Sequence, residues 1–167
     1  MVDDGTVRLA LPLLEAGQAQ KEVTHNEALA VLDIAVQAVV QGGPVDQPPA
    51  APAPGQCWIV GTAPQGPWAG RAGALAGWTD AGWRFAPAAN GWRVWDAVAN
   101  QPWRMTPTGW ERGIVRAEQV RIGGRQVVGA QRPAISDVSG GATIDAEGRA
   151  ALAKILDTLR QHGLIAT

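Results

Sequence analysis

All eight tryptophans of this 167-residue chain lie between Trp58 and Trp110, a window of 53 residues with a single Phe, Phe85, and no Tyr. Each indole carries about 150 to 250 Å² of surface to bury. A segment this short has too little interior for all of them, so some should meet a partner, whether another subunit or a ligand. Around them, short alternating runs are broken by Gly, Asn and Asp, the pattern of short strands joined by tight turns. In ALAGWTDAGWRF, a three-residue loop Asp80-Ala81-Gly82 with Gly82 left-handed would pair Thr79 with Trp83 and Trp78 with Arg84. Asn90-Gly91 and Thr106 to Gly109 mark two further turns. Residues 56–112 are thus expected to form a Trp-rich antiparallel β domain, a small sheet or barrel. The tryptophan separations are irregular, which argues against a propeller or solenoid.

Helical segments flank this region. In residues 18–41, Leu29, Leu32, Val36 and Val39 recur at spacings of three, four and three and share one helical face. The expected helix stops at Gly42 and Gly43, so residues 1–41 form an N-terminal helical segment and the Pro/Gly-rich run 42–55 a linker. Residues 113–167 read as a C-terminal module. Its hairpin has Gly123 and Gly124 at the tip, and its helix runs from Asp145 to His162 with a stripe of Leu152, Ile155, Leu156 and Leu159. Asp145 and Glu147 suit the positive N-terminal end of that helix, and Arg160 and His162 the negative C-terminal end. Gly163 followed by Leu164 predicts a left-handed stop, with the chain end docked. The fold class is therefore α+β. Two apolar helix faces, Leu29/Leu32/Val36 and Leu152/Ile155/Leu159, are candidate oligomerisation surfaces.

Catalytic chemistry finds little support. The serines, Ser136 and Ser139, lie in a glycine-containing loop, and His25 and His162 sit in predicted helices at opposite ends of the chain, so no nucleophile has a base beside it. Cys57, the single cysteine, falls in the apolar run CWIV and reads as a buried strand residue. Two isolated histidines without clustered carboxylates give no metal signature, and no cofactor is implied. A glycosidase needs paired carboxyl groups, and the tryptophan window offers Asp80, explained by its turn, and Asp96. The chain is expected not to be an enzyme.

Charge narrows the partners. Net charge is −1, divided as −5 over residues 1–54, +2 over 55–110 and +2 over 111–167, and no segment is basic enough to follow a phosphate backbone. No apolar run reaches the roughly 18 residues of a membrane span, and the acidic start does not read as a secretory signal. The chain is expected to be made in the bacterial cytoplasm. In the hairpin register above, Trp83 and Phe85 share the face of Leu75 and read as core, while Trp78 lies opposite with Arg84, where a cation–π pair is expected. Alternation turns Trp95 away from Trp92 and Val94, and Trp68 and Trp110 lie near loops. The candidate partner- or glycan-contacting residues are Trp68, Trp78, Arg84, Trp95 and Trp110.

Two stretches carry a resemblance. LALPLLEAGQAQKEVTHNEALAVLD, followed after a Pro-rich gap by PGQCWIVG, PWAG, ALAGWTDAGWRF and NGWRVW, resembles an uncharacterised domain family of gene transfer agents and related tailed phages over roughly residues 8–110. VRIGGRQVVGAQRPAISDVSGGATIDAEGRAALAKILDTLRQHGLI is similar to a C-terminal module that recurs on phage tail and fibre proteins. The resemblance implies a virion structural protein of a gene transfer agent or phage, foremost the base or connector of a head spike at a capsid vertex. It implies as partners a capsid protein, a spike fibre protein and further copies of the chain, a pentamer if vertex symmetry is followed. It also implies a contribution to host attachment through cell-surface polysaccharide. A free-standing carbohydrate-binding module and a polysaccharide hydrolase are the alternative expectations.

Overall fold

The structure is a computed structural model that describes residues 5–15, 17, 21–143 and 145–166. The chain divides into two compact units, Met1–Ile114 and Val115–Thr167.

The first unit is one helix and one seven-stranded sheet. Helix α1 spans Lys21–Ala35, and the strands are β1 (Val39–Val40), β2 (Cys57–Ile59), β3 (Leu75–Thr79), β4 (Gly82–Ala86), β5 (Arg93–Asp96), β6 (Gln101–Thr106) and β7 (Gly109–Arg112). Their order across the sheet is β4-β3-β2-β1-β5-β6-β7. β1 runs parallel to both of its neighbours, and all other pairs are antiparallel. The fold is α+β with a tryptophan cluster, and the sheet is mixed rather than wholly antiparallel.

The sheet draws its central strand from a segment expected to be helical. The helix ends at Ala35 instead of Gln41, because Arg8 closes it: the guanidinium donates to the carbonyls of Asp33, Ile34, Val36 and Gln37, the acceptors a helix C-terminus leaves open. Gln37 then takes a left-handed conformation, φ 44°, and turns the chain into β1. Val39, placed by spacing on the helical stripe, is a strand residue, in keeping with the preference of β-branched side chains for extended backbone.

The run 42–55 is not a free linker between separate segments. Val45 pairs with Val60, the Asp46 carbonyl and carboxylate accept from Gln65 and Ala63, and the Gly55 amide donates to the Trp78 carbonyl, so the run is stitched along the sheet. The helical segment and the β region it joins belong to one unit.

Both sheet faces are packed. On one, Ile34 of α1 shares a cluster with Ala38, Val40, Cys57, Ile59, Leu75, Ala86, Val94 and Trp103; on the other, Trp58, Val60, Trp68 and Ala76 gather Trp78, Trp83 and Phe85. The register sets this division. The β3–β4 hairpin pairs Thr79 with Gly82 and Trp78 with Trp83, one residue away from the expected Thr79–Trp83 and Trp78–Arg84 pairing. A one-residue slip exchanges faces. Trp83 and Phe85 therefore lie with Trp78 and opposite to Leu75, and Arg84 points toward α1.

In the second unit, β8 (Val120–Ile122) and β9 (Arg125–Val128) form a two-stranded hairpin, with Gly123 and Gly124 left-handed at its tip. Helix α2 spans Ala146–Gln161. Asp145 caps it by accepting from the Gly148 amide at 2.8 Å, and Gly163 ends it at φ 68° while the Leu164 amide returns to the Leu159 carbonyl. Leu164 itself stays exposed. The following residue, Ile165, is buried and pairs with Arg132.

At Gly77 the side chain of Ile34 on α1 presses directly against the sheet backbone. A Cβ there would stand 2.5 Å from Ile34 Cδ1 and nearer still to Cγ1. Gly77→Ala is expected to force the helix off the sheet and lower stability by about 1 to 3 kcal/mol, as overpacking does. Urea unfolding followed by tryptophan emission measures it, and an unchanged midpoint would show that Ile34 repacks freely.

Candidate binding surface

The five tryptophan-region residues singled out above do not form one site. Trp68, carried by a 3₁₀ turn at Gly66–Trp68, is 0% exposed and belongs to the core, which removes it as a surface contact. Its indole N–H has no hydrogen-bond acceptor among the described residues, and its ring meets Trp83 edge to face at 5.0 Å and 84°. Trp83 also meets Trp58 at 5.6 Å and Trp78 at 4.9 Å, both edge to face. One ring thus shields three others. Trp78 is left half-buried.

Arg84 does not stack on Trp78. It lies on the other face and grips Glu27 of α1 in a two-pronged ion pair, Nε to Oε2 and Nη2 to Oε1, each 2.6 Å. The hydrogen bond from Arg84 holds the Glu27 carboxyl below its usual range. The geometry is the fork-to-carboxylate match that favours Arg in such roles. Arg84 is thereby committed to holding the helix on the sheet. Among the described residues, cation–π contacts are made by Arg71 over Phe85 at 5.1 Å and Arg112 over Trp103 at 5.4 Å.

Trp110 is half-buried and turned to the core, and its indole donates to the Gly73 carbonyl at 2.8 Å. That bond ties the β7 edge to the turn before β3. Trp95 differs from the rest. It sits on the face opposite to Val94 and Asp96, beside Val39 and Pro102, and is 43% exposed.

The aliphatic candidates are the more open group. On α1 the core is met by Ile34, Val31 and Ala35, while Leu32, and Val36 just past the helix end, stay 49% and 45% exposed and Leu29 is half-buried. Val39, three residues after Val36 and also exposed, leads to Trp95 through the strand register. The stripe read as one helix face thus runs from a helix onto a sheet and stays outside the core. On α2, Leu152 and Ile155 are exposed and Leu159 is half-buried.

Asp96, the carboxylate that a hydrolase would use, is 0% exposed. Oδ1 accepts the Val98 and Ala99 amides at 3.0 and 2.8 Å, Oδ2 accepts the Trp103 indole at 2.9 Å, and Arg112 stands at 4.0 Å. Burial pushes its pKa up, but the Ala99, Trp103 and Val98 hydrogen bonds and the Arg112 charge together bring it below the ordinary carboxylate value. Cys57 is buried, and loss of hydration pushes its thiol up to about 11, so it stays protonated at neutral pH. Among the described residues no three His, Cys, Asp or Glu side chains group to hold a metal, and no helix is long and apolar enough to cross a membrane.

Sequence reasoning missed the residues that anchor the N-terminal arm. Asp33 accepts from the Thr6 hydroxyl at 2.7 Å and from the Arg8 and Leu9 amides, and Asn26 both accepts from and donates to the Leu14 backbone. Asn26 and Asp33 are seven residues apart and so share a helix side, which was the available signal. They border a cleft of about 200 Å³ with Thr6, Glu27, Thr79 and Arg84, whose polar groups are already paired: Thr6 with Asp33, Glu27 with Arg84, Thr79 with the Gly82 carbonyl and Asn26 with the Leu14 backbone.

The family described as "Protein of unknown function (DUF2793)" matches residues 25–111. The chain belongs to this family. The DUF2793 region begins at His25 within α1 and reaches Glu111 in β7, so it takes in β1 to β6, most of β7 and most of the helix. No curated protein matches the chain.

Asp96→Ala is expected to leave the Val98, Ala99 and Trp103 donors without their acceptor, at a cost of about 1 to 3 kcal/mol for each buried group left unpaired. The native carboxylate's pKa lies below its unfolded value of about 3.9, so its contribution is fully present above that value and is lost as pH falls through the native pKa. Acid unfolding of Asp96→Asn should therefore begin less steeply than in wild type, and superimposable acid profiles would refute the assignment.

Proposed function

We propose that this DUF2793 protein is a non-enzymatic structural component of a phage-like particle, a gene transfer agent or tailed phage, serving as the base or connector of a head spike at a capsid vertex. Its partners on this reading are a capsid protein, a spike fibre protein and further copies of the chain, and its place of action is the virion. Support comes from the string around Leu11 to Asp33, which resembles proteins of such particles, and from the residues that could have done chemistry. Asp96, Asp33 and Arg84 are each spent on holding the fold.

The observation that carries the proposal is the outward stripe on α1. Ile34 is 2% exposed, yet Leu32 on the helix and Val36 just past its end, two residues to either side, remain about half open. Apolar side chains arranged along a helix away from their own core are how one chain presents itself to another.

Leu32→Glu with Val36→Glu is expected to reduce incorporation into purified particles about tenfold or more, equivalent to roughly 1.4 kcal/mol or above of lost association. Tryptophan emission of the isolated variant reports whether the first unit keeps its fold and is expected to match wild type. Normal incorporation of the double variant would sink the proposal.

A second reading has a specific observation of its own: Trp95 stands open on a sheet face beside Val39 and Pro102, an apolar platform of the kind a sugar ring can cover. If host polysaccharide is held there directly, Trp95→Ala abolishes retention of the isolated protein on immobilised capsule. Retention equal to wild type would exclude that platform.

A further inference from the structure

The second unit lacks a core of its own size. Among its described apolar side chains, Leu156 and Ile165 are buried, while Val120, Ile122, Val127, Val128, Leu152 and Ile155 stand 44% to 67% exposed. Every residue of β8 and β9 is exposed, and a two-stranded hairpin without cover is at best marginally stable in water. Ordering this many residues costs more conformational entropy than two buried side chains offset. Something outside the unit must supply the remaining burial.

The pattern on α2 says what. Leu152, Ile155 and Leu159 are three and four residues apart, which is the spacing of positions a, d and a of a heptad. Leu152 and Ile155 are 47% and 55% exposed, Leu159 is half-buried, and Leu156 beside them faces into the unit. The g positions flanking this seam are Ala151 and Thr158, both uncharged. In a parallel bundle each g position faces an e position of the neighbouring helix, and Leu156 at e is uncharged too, so no like charges meet beside the seam. Leu at a with Ile at d further favours three or four strands over two.

We infer that the second unit is an assembly module, in which α2 helices from three or four copies of this chain pack along Leu152, Ile155 and Leu159, and that the unit is well ordered only when so packed. This deepens the function proposed above and rests on it in taking copies of the chain as the partners. The copy number is the one the seam favours, not the five of a vertex.

Light scattering on the full chain is expected to give three or four times 17.4 kDa. Leu152→Glu with Ile155→Glu should weaken assembly by about thirtyfold or more, the loss seen at interface hot spots. All eight tryptophans lie in the first unit, so their emission reports that unit alone and should not move, while proteolysis within 115–167 accelerates. Leu152→Ile, Ile155→Leu and Leu159→Ile together keep the helix apolar and should shift the mass toward two chains. A wild-type mass of one, two or five chains overturns the inference, as does an unchanged mass in the glutamate variant. If Leu32→Glu with Val36→Glu disperses the assembly and the α2 variants do not, the inference fails while the particle reading stands.

Discussion

Two residues hold the two halves of the sheet together. Val39 and Val40 lie between the meander β2-β3-β4 and the meander β5-β6-β7, pairing with Cys57 on one side and with Trp95 and Asp96 on the other. The bonds Gln41 to Cys57, Trp95 to Ala38 and Ala97 to Val40 extend the seam by one residue at each end. Val40 is completely buried, so the join is also the middle of the core. A strand this short holds only if its entry is fixed. Arg8 does that by closing the helix before it, and Asp33 does it by fastening the arm that carries Arg8. The N-terminal arm is thus a working part of the sheet's centre.

The central strand also explains why the run after it cannot be a spacer. With β1 parallel to β2, the chain must travel the length of the sheet and return, and a parallel pair always needs such a crossover. Residues 42–55 make it, rich in proline because the path is extended and in glycine because it bends. Composition reported the conformation faithfully. What composition could not report was that the path is bonded near both of its ends, at Val45 and Asp46 to β2 and the turn that follows it and at Gly55 to β3.

Local signals in the sequence were read well. The turns at Asn90-Gly91, Thr106 to Gly109 and Gly123-Gly124, the Asp145 cap and the Gly163 stop all stand where short-range rules put them. The α+β class followed from the change in period between α1 and the strands. Features decided at long range were not legible. The end of α1 depends on Arg8, more than twenty residues earlier, while the spacing of Leu29, Leu32, Val36 and Val39 continues smoothly across the boundary. The β3–β4 register turned on whether Gly82 belongs to the loop or the strand. It is the first residue of β4 at φ 98°, and that one step moved Trp78 and Trp83 onto a common face and Arg84 onto the face of Glu27. For the candidate surface, Trp95 was legible by alternation because its strand is regular. Trp68 was not, since a loop position says nothing about what folds over it.

The indoles then change what a binding surface on this protein would be made of. Counting surface per side chain assumes that each ring must find its own cover, but Trp83 touches Trp58, Trp68 and Trp78 at once, each edge to face. Edge-to-face packing lets one ring cover several neighbours and uses the quadrupole of each, so a cluster hides more indole than the same rings taken singly. Seven of the eight tryptophans are buried or half-buried within one chain, and Trp95 is the open exception. The surplus of unburied surface has moved to aliphatic side chains, on α1 in one unit and on α2 and the β8–β9 hairpin in the other. Aliphatic stripes at helical spacing recognise other helices by shape and offer no stacking plane to a sugar. On physical grounds, then, these stripes favour association between chains over direct recognition of polysaccharide, and Trp95 is the place where the second could still occur.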